Sequence, residues 1–154
     1  MIPDFIDLGN PAPWQVLPPG IHIVTLKEIE SSFGNNTPHR QNLFNGLCAA
    51  LKNLEQAGCR TVYLDGSFVS DKDHPGDFDA CWDHKGVDPN KLDPTLLDFS
   101  NKREAQKIQY GGELFIAAAL AAPGISFLKY FQTDRYTGKK KGILQINLTG
   151  KTFP

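Results

Sequence analysis

The sequence predicts a single α/β (α+β) domain in which a short mixed sheet is flanked by helices. The first observation is length, because 154 residues is a common size for one domain. The second is composition: 40% of the residues are apolar and 21% are charged, which is typical of a globular protein with a core. The third is that helical and strand-like segments alternate along the chain, with no linker between them.

The amino-terminal twenty residues contain five of the eleven prolines. Because proline fixes φ and has no N–H, residues 1–20 are predicted to form an extended arm, and residues 21–154 the domain. Residues 21–26 are rich in β-branched side chains and predict a strand. A helix is predicted to begin in 25–33, since Thr25 with Glu28 three positions later is typical of a capping box.

The strongest helical pattern is in residues 39–57, where leucines and a phenylalanine recur on one face and Gly58 ends the helix. The remaining elements are predicted from β-branched runs, alanine content and Gly or Pro breaks. They are strands at 59–65, 77–83 and 143–148, a partly helical segment at 95–108, an alanine-rich helix at 113–122, and a short helix at 125–133.

Charge, cysteine content and hydropathy exclude several classes of protein. A net charge of −1 argues against a general nucleic-acid binder with a strongly basic surface. Three cysteines are an odd number without a C-x-x-C spacing, so a disulfide scaffold is not expected. The longest apolar run, 114–122, is far shorter than the roughly 20 residues that span a membrane, and the amino terminus lacks signal-peptide features. A cytoplasmic protein without a membrane partner is expected.

The segment "GSFVSDKDHPGDFDACWD", residues 66–83, contains the strongest candidate site. Gly66 and Ser67 directly follow a predicted strand, where exposed backbone N–H groups and a hydroxyl can bind phosphate oxygens. Asp77 and Asp79 alternate with Phe78 on the next strand, so their carboxylates share one face. A divalent cation, Mg²⁺ or Mn²⁺, would relieve their repulsion and would take further ligands from substrate phosphates.

A β-turn followed by an edge strand with two solvated aspartates is the alternative interpretation of this segment. An isolated Asp-x-Asp pair would favour that interpretation. The Gly66-Ser67 pair, nine residues before Asp77 and directly after a strand, favours the phosphate and metal site instead.

The spacing Gly66-Ser67, nine residues, Asp77-Phe78-Asp79 resembles the signature of the DNA polymerase β-like nucleotidyltransferase superfamily, and its minimal nucleotidyltransferase branch most closely. The wider chain also resembles a small, largely uncharacterised bacterial family, through "LPPGIHIVTLKEIESSF", "LDGSFVSDKDHPGDFDACWD" and "TGKKKGILQINL". This second likeness covers about residues 17–148. The resemblance implies a nucleotidyltransferase-like fold and transfer of a nucleoside monophosphate from an NTP to a hydroxyl. The acceptor can be a protein, an RNA or a small molecule.

The resemblance also implies roles for individual residues. Asp77 and Asp79 would be metal ligands, and Gly66 and Ser67 would contact the β- and γ-phosphates. The superfamily usually has a third carboxylate on a later strand, which helps to activate the attacking hydroxyl. The predicted strand 143–148 offers only amides on the matching face, so Asn147 is expected to place a carbonyl near the metal. Asp65 and Asp83 are the other candidates, although Asp83 lies roughly 13 Å from Asp79 along the strand.

Cationic residues around the signature are candidates for binding the triphosphate. They are Lys72, in the loop between the two halves of the signature, and Arg135 and Lys141, in the basic segment before the last strand. A solvated hairpin turn is the alternative for that basic segment. The aromatic residues Phe127, Tyr130 and Phe131 are expected to belong to the core rather than to a base-stacking surface.

Three functions therefore remain open from the sequence. The favoured function is Mg²⁺-dependent nucleotidyl transfer. The second is a catalytically degenerate module that binds nucleotide or a protein partner without turnover. The third is a pure interaction protein, for example one half of a toxin–antitoxin or defence pair.

Overall fold

The structure is a computed structural model that describes residues 1–150 and 152–153. It confirms the predicted fold class, since one five-stranded mixed sheet is flanked by helices. The elements in chain order are β1 Gly20–Ile23, α1 Leu26–Ile29 with a π-helical turn Glu30–Gly34, α2 Pro38–Gln56, β2 Thr61–Asp65, a 3₁₀ turn Ser67–Val69, β3 Phe78–Trp82, a 3₁₀ turn Pro94–Leu97, α3 Ser100–Tyr110, β4 Gly112–Ile116, β5 Leu120–Ala122, β6 Ile125–Ser126, α4 Phe127–Tyr130 and β7 Gly142–Asn147.

The main sheet has the strand order β1-β7-β2-β3-β4. Strand β7 runs parallel to β1 and antiparallel to β2, β2 and β3 are antiparallel, and β3 and β4 are parallel. Strands β5 and β6 form a small separate hairpin after β4. The strands that carry the signature, β2 and β3, are therefore neighbours near the centre of the sheet.

The helix predicted at 39–57 is confirmed as α2, Pro38–Gln56. Thr37 caps it by accepting a hydrogen bond from the Arg40 backbone N–H at 3.1 Å, and proline occupies the first turn, where no N–H is needed. The predicted capping box of α1 is also present, because the Thr25 side chain accepts from the Glu28 backbone and the Glu28 side chain accepts from Thr25.

Alternation along the strands gives the sheet two different faces. Leu64, Ala80 and Leu114 point to the face that α2 covers, and they belong to the main hydrophobic core. Cys81 and Ile143 point to the opposite face, where a smaller buried cluster lies beneath the segment around α4. The residues between the core positions of β2, β3 and β4 also point to this second face.

The predicted helix at 113–122 is wrong. Residues Gly112–Ile116 form strand β4, and Leu120–Ala122 form strand β5. Strand pairing overrides the helical propensity of the alanines, because β4 pairs with all five residues of β3 and buries Leu114 in the core. This correction moves Glu113 from a predicted helix to the edge strand of the sheet, where it lies beside Asp79.

The proline-rich segment at the amino terminus lies against the domain through a few specific contacts. Ile6 and Val16 form an isolated antiparallel bridge, and Leu17 is buried and accepts a hydrogen bond from the Gly142 N–H at 3.0 Å. The Lys139 ammonium donates to the Leu8 carbonyl at 2.8 Å. Separately, none of the helices in the described residues is both long and apolar enough to cross a membrane.

Candidate functional site

Three carboxylates lie in register across three neighbouring strands. Asp65 of β2 is paired with Asp79 of β3, and Asp79 is paired with Glu113 of β4. Paired residues on adjacent strands, about 4.8 Å apart, point to the same face of the sheet. Asp77, two residues before Asp79, extends this group on that face. We call Asp65, Asp77, Asp79 and Glu113 the acidic row.

The crowding of the acidic row acts most strongly on the pKa of Asp79. Burial, followed by the charges of Asp65, Asp77 and Glu113, raises the pKa of Asp79 well above its usual value. Burial alone would raise the pKa of Glu113, but hydrogen bonds from Arg103, from the Asp79 carboxyl and from Lys107 lower it. The pKa values of the neighbouring Asp79 and Glu113 are therefore shifted in opposite directions.

Basic side chains compensate the two ends of the acidic row. Arg103 and Lys107 lie 3.0 Å and 3.2 Å from Glu113 Oε1, and Lys141 forms an ion pair with the buried Asp65. Arg103 is the last of three consecutive residues with left-handed backbone, at φ 61°. Non-glycine residues adopt this conformation at a cost of about 1–2 kcal/mol each, so the fold holds Arg103 beside Glu113 against local strain.

The backbone turns sharply next to the acidic row. Gly66 has φ +89° and ψ −176°, a conformation accessible almost only to glycine. Its Cα also faces Asp79 so closely that an added Cβ would lie 2.5 Å from Asp79 Oδ2. Ser67 then begins a 3₁₀ turn whose N–H groups follow the strand end. The predicted Gly66-Ser67 turn is thus brought directly against Asp79.

A buried arginine holds the loop between Ser67 and Asp77. The Arg40 guanidinium donates to four backbone carbonyls, with the shortest contacts to Phe68 at 2.7 Å and to Lys72 at 2.6 Å. His39 adds a contact to the Pro75 carbonyl and stacks on His74 at 3.8 Å. The first turn of α2 therefore fixes the loop that joins the two halves of the signature.

A cavity of about 600 Å³ opens onto the acidic row. Its size falls within the usual range for small-molecule sites. All four acidic-row residues line it, as do Gly66, Ser67 and the predicted cations Lys72, Arg135 and Lys141. The structure therefore brings together every predicted site residue except Asn147.

Two of the predicted cations are held at the cavity by aromatic rings. The Lys72 ammonium lies 4.6 Å from the centre of the Trp14 ring. The Arg135 guanidinium lies 4.9 Å from the centre of the Tyr136 ring and donates to its hydroxyl at 2.8 Å. The Trp14 and Tyr136 rings are themselves 5.7 Å apart, edge to face. The amino-terminal segment thus contributes Trp14 to the cavity wall.

The prediction that Asn147 joins Asp77 and Asp79 at the metal is wrong. Asn147 pairs with Thr61 at the opposite end of β2 from Asp65, about 13 Å away along the strand, and accepts a hydrogen bond from Gln145 at 2.8 Å. Asp83 is also remote, since it follows the far end of β3.

Glu113 is the carboxylate that the sequence interpretation missed. It lies directly beside Asp79, on the strand after β3. The short apolar run Leu114-Phe115-Ile116, with an aromatic and a β-branched residue directly after the Gly111-Gly112 break, is the signal that indicates a strand here.

The aromatic residues after β6 divide between the core and the cavity. Phe131 is buried in the smaller cluster, as expected, and Phe127 packs against that cluster. Tyr130 differs from the expectation, because 47% of it is exposed and it lines the cavity together with Phe115.

The donor set of the cavity fits a hard divalent cation. Mg²⁺ prefers oxygen ligands and needs only one or two protein carboxylates when phosphates and water supply the others. Asp77 and Asp79 supply such oxygens, and burial, together with the charge of Glu113, raises the pKa of Asp77 as well. Among residues 1–150 and 152–153, no group of three or more His, Cys, Asp or Glu side chains is arranged to hold a metal.

A comparison with models of known protein families gives a match. A family model described as a family of unknown function, DUF6932, covers residues 11–147. The chain belongs to the DUF6932 family. The match includes the acidic row and the Gly66-Ser67 turn, so the candidate site lies within the DUF6932 region. Comparisons with curated proteins and with solved structures give no match.

Proposed function

We propose that this protein is a Mg²⁺-dependent nucleotidyltransferase, which moves a nucleoside monophosphate from an NTP to a hydroxyl acceptor. The proposal depends on one observation: a row of carboxylates on three adjacent strands faces a glycine-serine turn within one cavity of about 600 Å³. A bound polyphosphate needs to approach the backbone N–H groups closely and needs positive charge around it. A phosphoryl group in transfer also needs a metal ion beside it, held by carboxylates.

The phosphate-binding part of the cavity is assigned to the turn and to two cations. Gly66 allows the phosphates to approach the backbone, and the Ser67 hydroxyl can donate to a phosphate oxygen. Lys72 and Arg135 line the same cavity and neutralise the triphosphate and the leaving pyrophosphate. Lys141 has a different role, since its ion pair keeps the buried Asp65 compensated.

The reacting part of the site is assigned to the acidic row. Asp77 and Asp79 would hold Mg²⁺, which supplies charge neutralisation at the α-phosphate. Glu113, which lies beside Asp79 on β4, accepts the proton of the acceptor hydroxyl. The new bond joins the acceptor oxygen to the α-phosphorus, and the bond from that phosphorus to pyrophosphate breaks. Arg103 and Lys107 hold the Glu113 carboxylate in position.

Transfer from α-labelled NTPs tests this proposal. Purified protein is incubated with each of the four labelled NTPs, Mg²⁺ and a cell lysate as the source of acceptors, and labelled products and pyrophosphate are measured. Asp79→Asn is expected to lower the rate at least ~100-fold, because an amide is a much weaker metal ligand. Asparagine has nearly the same size and shape as aspartate, so the fold should be retained. Asp83→Asn, outside the cavity, is the matched control and should keep the wild-type rate.

Nucleotide binding without turnover is the second candidate function. The observation that favours it is that Lys141, Arg103 and Lys107 already compensate the acidic row without a metal. Calorimetry showing NTP affinity, with no product in the labelled assay over hours, would select this function. A protein that shows no thermal shift with any NTP and Mg²⁺, and that co-purifies with a partner, would instead be an interaction module.

A further inference from the structure

The cavity has an aromatic end next to the acidic row. Phe115 follows Glu113 by two residues on β4, so it points to the same face and lies about 6–7 Å further along the strand. Its ring stacks on Phe127, with ring centres 4.1 Å apart and an interplanar angle of 11°. Tyr130, in the same short helix as Phe127, also lines the cavity and is 47% exposed overall.

The aromatic end and the Gly66-Ser67 turn lie at opposite sides of the acidic row. Gly66 directly follows β2, whereas Phe115 lies two strands away on β4. Through the strand register Phe115 is level with Tyr63 of β2, which is three residues before Gly66. Strand spacing and rise per residue then separate them by about 14 Å. Phosphates, ribose and base follow one another in a nucleoside triphosphate. A molecule with its β- and γ-phosphates at the turn and its α-phosphate at the row therefore directs its base toward the aromatic end.

Tyr130 is the most exposed of these rings. Phe115 is covered by Phe127 on one side, and the Arg103 guanidinium lies 5.3 Å from its ring centre. Phe131 is buried and packs edge-on against Phe115 at 6.2 Å. Tyr130 therefore presents the most accessible ring, and its centre lies 6.4 Å from that of Phe131.

We propose that Tyr130, which packs against Phe131, forms the subsite that stacks against the nucleobase of the NTP. This inference rests on the proposed function and adds the part of the substrate that it leaves unassigned. Every base has a π face, so stacking of this kind binds purines and pyrimidines alike. The alternative is that Tyr130 stacks against an aromatic ring of the acceptor. In that case, replacing Tyr130 would not change the affinity for NTPs.

Comparing NTPs with a base-free analogue tests the subsite. Calorimetry in Mg²⁺ measures the affinity of ATP, GTP, CTP, UTP and inorganic tripolyphosphate for the full chain and for Tyr130→Ala. Because stacking contributes about 1–3 kcal/mol per base, Tyr130→Ala should weaken NTP binding by roughly 5- to 150-fold and leave tripolyphosphate unchanged. Tyr130→Phe keeps the ring and should bind NTPs as the wild type does. Ile108→Ala, at another exposed apolar side chain that is 78% exposed, is the surface control.

The possible outcomes separate the two proposals. Unchanged NTP affinity in Tyr130→Ala, or equal weakening of NTPs and tripolyphosphate, overturns the base subsite while leaving the proposed function intact. A wild-type protein that binds neither NTPs nor tripolyphosphate overturns both. Selective loss of NTP affinity, restored in Tyr130→Phe, supports both.

Discussion

Replacing Gly66 by alanine tests whether the turn and the acidic row form one unit. The substitution acts in two ways. The residue has φ +89°, where an L-side chain costs about 1–2 kcal/mol. The added Cβ would also lie 2.5 Å from Asp79 Oδ2 and 3.2 Å from the Asp79 backbone nitrogen, an overpacking that typically costs about 1–3 kcal/mol. The free energy of unfolding should therefore fall by about 2–5 kcal/mol.

Gly124→Ala separates the two effects. Gly124 also has a positive φ, +72°, but no atom lies within 4 Å of an added Cβ. The free energy of unfolding of Gly124→Ala should therefore fall only by the cost of the backbone conformation, about 1–2 kcal/mol. Urea unfolding of both variants, monitored by circular dichroism, gives the difference, and calorimetry with ATP and Mg²⁺ gives the effect on binding. Gly66→Ala should weaken ATP binding, whereas Gly124→Ala should not. Equal destabilisation, together with wild-type ATP affinity in Gly66→Ala, would refute the assignment of the turn.

Three further predictions follow from contacts outside the acidic row. Arg40→Met removes the buried donor of the loop carbonyls and should lower the free energy of unfolding by about 3 kcal/mol, measured by urea unfolding. A loss of less than about 1 kcal/mol would contradict the role of Arg40 in anchoring the loop. Burial alone would raise the pKa of Asp93, but hydrogen bonds from Tyr110 and other donors lower this pKa below its usual value of 3.8. The ionised Asp93 carboxylate therefore stabilises the fold at pH values above 3.8, and this stabilisation is lost as the pH falls through the lowered pKa. Asp93→Asn should therefore lower the free energy of unfolding by about 1 kcal/mol at pH 7, a value discounted for the partial exposure of Asp93. Unfolding curves from pH 7 to pH 2.5 should show the difference between wild type and variant disappearing in acid. A difference that stays constant with pH would contradict this prediction. Trp14 lines the cavity whereas Trp82 is buried, so a change in fluorescence on adding ATP and Mg²⁺ should vanish in Trp14→Phe; persistence of the change would show that the nucleotide binds elsewhere.

Local patterns were sufficient to predict most of the fold. The leucine stripe and proline start of α2 act within one helix, and its predicted bounds agree with the structure to one residue at each end. The Thr25–Glu28 capping box and the strands on either side of the Gly66-Ser67 turn are likewise determined by short-range chemistry. The order of the strands does not follow from such patterns.

The missing carboxylate shows where local patterns fail. The alanines after Phe115 have high helix propensity and led to a predicted helix at 113–122. Pairing of β4 with β3 and burial of Leu114 decide the conformation instead, and both depend on residues distant in sequence. The position of Glu113 in the site therefore depends on tertiary structure. Asn147 is predicted in its place because the sequence does not specify which strand neighbours β3.

Glu113→Gln gives the most direct test of the central claim that the carboxylates on β2, β3 and β4 act together on a bound NTP. The measurement is transfer from an α-labelled NTP to acceptors in a lysate, made alongside calorimetry of the same NTP with Mg²⁺. The variant should bind the nucleotide with wild-type affinity but transfer it at least ~100-fold more slowly, because an amide cannot accept the proton of the acceptor hydroxyl. Transfer by the variant at the wild-type rate would contradict the claim.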